Sequence, residues 1–112
     1  RGSKILILGI SYKRNIDDMR ESPSVFLMEK LRTSGADLDY HDPHVPIFPK
    51  MREHYFNLSS QRLDAEMLKK YDCVVLATDH DQFNYQLILE NSRLIVDTRG
   101  KYRLNSSNLV KA

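Results

Sequence analysis

The chain has 112 residues, the length of one domain, with 17 Lys and Arg against 15 Asp and Glu and a net charge of +2. The charge is dispersed, with no basic block, so the footprint of a nucleic-acid partner is missing, and no apolar run approaches the roughly 20 residues that span a bilayer. A single cysteine, Cys73, rules out an internal disulfide framework and fits a reducing compartment, so a cytoplasmic protein with no nucleic-acid and no membrane partner is expected.

The chain opens on Arg1 and enters its first predicted strand almost at once, which reads as a piece of a longer protein. Lys4-Ile5-Leu6-Ile7-Leu8-Gly9-Ile10 is an apolar run of the kind that suits a strand buried on both faces, as in a parallel sheet. Between it and the next helix lies Ser11-Tyr12-Lys13-Arg14-Asn15-Ile16-Asp17-Asp18-Met19-Arg20-Glu21. This is no phosphate cradle, because G-x-G-x-x-G and G-x-x-x-x-G-K-S/T are both absent. It carries Lys13 and Arg20 with Asp17 and Asp18 between them, a composition suited to holding a polyanion with side chains. The same cations could instead pair with Asp17, Asp18 and Glu21 on a solvated loop.

Ser22 offers an N-cap and Pro23 a first helical position, and Val25, Leu27, Met28 and Leu31 form an apolar stripe at helical spacing that Gly35 closes. Ala36, Leu38 and Tyr40 alternate with Asp37 and Asp39 as a second strand with one more polar face, ended by His41-Asp42-Pro43. Residues 44–62 are irregular, with a short strand expected near Phe56 to Leu58. Asp64 caps a short helix through Met67 and Leu68 that ends at Lys69 and Lys70. Cys73 to Ala77 is a third buried strand. Asp81 or His80 is expected to cap a helix carrying Phe83, Leu87 and Ile88. Leu94-Ile95-Val96 is a fourth strand, followed by the polar turn Asp97-Thr98-Arg99-Gly100, and the tail offers only Leu104, Leu109 and Val110 as anchors.

Strands separated by helices predict an α/β fold: a three-layer, Rossmann-like open sheet, mostly parallel, of about four to five strands with flanking helices. The loops after the strands then share one edge, where open α/β sheets bind ligands. Tyr12-Lys13, His41-Asp42, Asp79-His80-Asp81 and Asp97 to Arg99 would face one crevice. His41, Asp42, His44, Asp79, His80 and Asp81 are ligand types for a divalent ion, but their spacing matches no strong metal motif, and no metal is expected. Asp42 stands where a dinucleotide fold places its ribose-binding acid, although without the glycine fingerprint it reads better as a strand terminator. Cys73 sits among Val74, Val75 and Leu76 with no flanking cation to activate it, so it reads as a small buried hydrophobe and not as a nucleophile.

Four segments in this order resemble one family. Gly9 to Pro23, Tyr40-His41-Asp42-Pro43-His44-Val45-Pro46, Val74-Val75-Leu76-Ala77-Thr78-Asp79-His80 and Val96-Asp97-Thr98-Arg99-Gly100 are similar to the C-terminal domain of the UDP-glucose/GDP-mannose dehydrogenases. Tyr-His-Asp-Pro and Thr-Asp-His resemble most the members that oxidise UDP-N-acetylhexosamines. The resemblance implies that residues 1–112 are a single nucleotide-sugar-binding domain, a fragment of an NAD-dependent enzyme that oxidises C6 of a UDP-sugar to the acid for surface polysaccharide synthesis. UDP-glucose and GDP-mannose remain alternative substrates. It implies partners within the same polypeptide: an N-terminal domain that holds NAD and a central helical region that supplies the nucleophilic cysteine and forms a homodimer. No catalytic residue would then lie in this fragment, which would be inactive alone. Residue by residue, it places Tyr12, Lys13 and Arg99 on the nucleotide sugar and Arg20 on NAD. A non-catalytic nucleotide-responsive or protein-interaction module on the same scaffold is the alternative from another class.

Overall fold

The computed structural model describes residues 2–11, 23–48 and 56–112. Five parallel strands form one sheet: β1 (Lys4–Leu8), β2 (Asp37–His41), β3 (Cys73–Leu76), β4 (Ile95–Asp97) and β5 (Leu109–Lys111). Their spatial order is β2-β1-β3-β4-β5. Among the described residues three helices lie between successive strands from β1 to β4: α1 (Pro23–Thr33), α2 (Ala65–Lys69) and α3 (Tyr85–Asn91).

The period-two alternation of β1 explains why it is central. Ile5 and Ile7 join the cluster that holds Val25 and Met28 of α1, whereas Leu6 and Leu8 join the cluster built on Leu68 and Ile88 of α2 and α3. Leu6, Ile7 and Leu8 are almost wholly buried, and each such side chain contributes about 1.5–3 kcal/mol. Edge strand β2 has only one apolar face, Leu38 and Tyr40, and Asp39 on the other face accepts a 2.7 Å hydrogen bond from the Tyr71 hydroxyl.

The helix ends follow the sequence closely at two points. Beyond α1, Gly35 takes φ +91°, Ala36 N–H donates to Leu31 and Gly35 N–H to Arg32, which is a Schellman closure. Asp64 caps α2 by accepting from the Met67 N–H at 2.8 Å. The cap of α3 differs from expectation. Asn84, and neither His80 nor Asp81, accepts from the Leu87 N–H. The reason lies in Phe83, which is buried ahead of the helix, so the chain spends Asp81 and Gln82 in a turn before the helix starts.

Two further differences concern weak signals. The expected strand near Phe56 to Leu58 is an isolated antiparallel bridge, Ile47 with Ser59, beside which Phe48 and Phe56 stack edge to face at 5.3 Å in the α1-side core. The tail supplies a whole strand, β5, where the sequence offered only anchors. The proposed N-cap at Ser22 lies outside the described residues. Among the described residues no helix is long and apolar enough to cross a membrane.

Candidate functional site

All five strands run parallel, so the turns after β1, β2, β3 and β4 share one edge, as their sequence order predicted. The chain leaves β1 toward β2 on one side and returns with β3 on the other. The order therefore reverses between β1 and β3, and such a switch point opens a crevice at the carboxyl edge.

Gly9 sets how closely the turns after β1 and β3 approach. Its φ is +84°, and a Cβ there would stand 2.5 Å from the Thr78 carbonyl oxygen. Only glycine lets the two backbones meet. Thr78 Oγ1 then donates to the Ser11 carbonyl at 2.8 Å, joining the turns again.

Beside this contact lies the fully buried carboxylate of Asp42. Its Oδ2 accepts from the Ile10 N–H at 2.8 Å, from the Ser11 N–H at 3.3 Å and from His80 Nε2 at 2.9 Å, and its Oδ1 accepts from the His44 N–H at 2.8 Å. His80 Nε2 also lies 3.1 Å from Ser11 Oγ. Burial pushes the Asp42 carboxyl up, but the hydrogen bonds from His80, Ile10 and His44, with the pull of His80, outweigh it and hold the group below its usual range. Sequence reading made Asp42 a strand terminator. The structure adds that it clamps the turns after β1, β2 and β3 together, and that His80 is a member of that clamp.

A second fully buried carboxylate, Asp97, ends β4. Its two oxygens accept from the Arg99 and Tyr102 amides, each at 2.9 Å. Thr98 Oγ1 donates to the Leu76 carbonyl at 2.7 Å, fixing the same turn to β3. Arg99 thereby projects into an open pocket of about 300 Å³ that it lines with Pro23, Ser24, Leu27, Ala77 and Thr98. The first turn of α1, which carries no acid, supplies Pro23 and Ser24 to one wall of the pocket that Arg99 also lines. The arrangement favours an anion.

Of the predicted site residues, Arg99 lies in the turn after β4 and lines this pocket, and Tyr12, Lys13 and Arg20 lie outside the described residues. Cys73 is half-buried near the opposite end of its strand, and burial, then the neighbouring Asp72, pushes its thiol pKa up, away from nucleophilic use. Among the described residues no three His, Cys, Asp or Glu side chains converge as metal ligands.

A doubly wound parallel sheet with an arginine-lined pocket at its carboxyl edge defines the class, a Rossmann-like α/β domain. Residues 6–103 match the model of the UDP-glucose/GDP-mannose dehydrogenase family, UDP binding domain, and the chain belongs to that family. It is 40% identical over 80 residues to a UDP-N-acetyl-D-mannosamine dehydrogenase of Methanococcus maripaludis, a match over 71% of this chain and 17% of the relative. It is 32% identical over 108 residues to the UDP-glucose 6-dehydrogenase of Rhizobium meliloti, covering 92% of this chain and 24% of the relative. The chain thus spans no more than about a quarter of these curated relatives. Among solved structures, a GDP-mannose dehydrogenase ternary complex from Pseudomonas aeruginosa superposes with a TM-score of 0.71 at 24% identity, over 97% of this chain and 28% of that one. At that identity the likeness establishes the fold.

Proposed function

We propose that residues 1–112 are the nucleotide-sugar-binding C-terminal domain of a longer, cytoplasmic, homodimeric, NAD-dependent UDP-sugar 6-dehydrogenase, acting on a UDP-N-acetylhexosamine for surface polysaccharide synthesis. The observation that carries this reading is the pocket in which Arg99 meets the first turn of α1, in a chain whose family model is a UDP binding domain. In this reading Arg99 donates hydrogen bonds to the diphosphate, together with Lys13 and Tyr12 from the turn after β1. A charge-assisted bond in a site closed from water contributes about 1.5–3 kcal/mol.

The described residues do not fit NAD as a resident cofactor. The one glycine of the turn after β1, Gly9, is occupied in the contact with Thr78, and the Asp42 carboxylate, the acid a ribose would need, is already engaged by Ile10, Ser11, His44 and His80. In this reading NAD is held by the N-terminal domain, and Arg20 is the residue of this chain assigned to reach it. The role left to this chain is to bind and orient the nucleotide sugar and exclude water from it.

NAD reduction by the full native polypeptide, assayed with UDP-N-acetylhexosamines, UDP-glucose and GDP-mannose, tests the reading. Turnover of a UDP-N-acetylhexosamine by the full polypeptide, and none by residues 1–112 alone, is expected. Preference for UDP-glucose or GDP-mannose would overturn the substrate assignment, and absence of turnover with every nucleotide sugar would leave a binding module in its place.

A further inference from the structure

Arg99 meets an aspartate at each end, through a hydrogen bond at its amide and at ion-pair distance at its guanidinium. Its amide is fixed by the buried Asp97 carboxylate, and its guanidinium faces a second acid, with Nε 3.5 Å from Asp79 Oδ1. Asp79 comes from the turn after β3, so the pair also bridges two turns of the ligand edge. Its side chain is only 15% exposed against 41% for Arg99, which places the acid below the arginine and the arginine at the pocket.

An acid beside an anion site presents a problem of sign. By Coulomb's law alone it repels a diphosphate and weakens binding. It is favourable only through what it does to the arginine. Guanidinium is a planar fork with five N–H donors, and the Nε edge turned to Asp79 leaves the Nη groups for another acceptor. A long side chain already fixed loses less rotamer freedom when a ligand arrives.

We propose that Asp79 is a positioning residue for the nucleotide diphosphate, acting through Arg99: it orients the guanidinium before the ligand binds. The proposal rests on the reading of Arg99 as a contact to the nucleotide sugar, and it adds a residue that carries charge of the wrong sign for direct contact.

UDP titrated calorimetrically into the full native polypeptide, the single variants Asp79→Asn and Arg99→Ala, and the double variant tests it. Asp79→Asn removes a negative charge from the neighbourhood of an anion, so electrostatics alone predicts tighter binding. Positioning predicts the opposite, a loss of about three- to ten-fold in affinity. In the Arg99→Ala background the same substitution should cause no loss, because the group it orients is gone. Tighter or unchanged binding in the Asp79→Asn single variant overturns the proposal. So does an equal loss in both backgrounds, which is what a general loosening of the fold produces, and a thermal melt of each variant reads that loosening independently. Wild-type affinity in Arg99→Ala alone overturns the assignment of Arg99 itself and the proposal with it, and the single variant tells that failure apart from failure of the Asp79 role. Should Asp79→Asn not fold, Asp79→Ser takes its place in the same cycle.

Discussion

The ends of β2 and β4 each carry a wholly buried aspartate, and they do different work. Asp42 gathers donors from three turns: Ile10 and Ser11 after β1, His44 after β2 and His80 after β3. Asp97 accepts from two amides of its own turn, Arg99 and Tyr102. One is a clamp between segments distant in sequence, and the other is a local former that presents a single side chain. A buried carboxylate is unfavourable unless it is fully hydrogen-bonded, so in both places the protein has fixed a turn by making its loss costly. The difference is in what is fixed: the clamp holds the edge of the sheet together, and the former aims Arg99.

Substitutions separate the two roles. Asp42→Ala leaves His80, the buried amides of Ile10 and Ser11 and the part-buried amide of His44 without their acceptor, and it should lower unfolding free energy by about 3–5 kcal/mol in denaturant titrations. A loss under about 1 kcal/mol would mean that water or rearrangement replaces the clamp. Gly9→Ala attacks the same junction from the backbone side. Its Cβ has no room beside the Thr78 carbonyl and its φ is disfavoured, so a loss of about 2–4 kcal/mol is expected by the same measurement. Asp97→Asn should be milder, about 1–3 kcal/mol, since an amide oxygen still accepts from one of the two N–H groups. Its effect on UDP affinity should exceed what its stability loss predicts, because Arg99 loses its anchor. If Asp97→Asn leaves UDP binding unchanged, the distinction between clamp and former collapses.

The smallest effect sharpens the comparison through pH. Asp42 has a folded pKa below its ordinary 3.8, so in acid the unfolded chain takes up the proton first. Its stabilisation is complete above about pH 4 and is lost as pH falls through the folded value. The stability difference between the wild type and Asp42→Asn should therefore shrink on acidification below about pH 4. A difference that stays constant to pH 2 would show that the clamp does not require the ionised acid.

Strong periodicity made most of the fold legible. The two-faced run of β1, the stripe of α1 and the closures at Gly35 and Asp64 each depend on neighbours in sequence, and each appears where the residues place it. β5 was not legible as a strand because Leu109-Val110-Lys111 is three residues long and draws its ladder from β4. The cap of α3 was missed because burial of Phe83, a tertiary event, moved the helix start to Asn84. Arg99 was legible from its position after a buried strand. The partnerships of Asp42, His80 and Asp79 were not, because their partners lie in other turns and no spacing along the chain reports them.

The pairing of β1 with both β2 and β3 has a kinetic consequence. Ile5 sits opposite Cys73, so the central ladder closes only after most of the domain has been gathered into the intervening loop. Contacts of such sequence separation slow folding, since the entropy of closure is lost before the ladder forms. The helices can form from local signals, but the junction of Gly9 with Thr78 and the Asp42 clamp cannot precede the docking of β1 against β3. Assembly of the carboxyl edge is thus tied to one of the longest-range contacts among the described residues, and a partly folded molecule, however helical, lacks that edge.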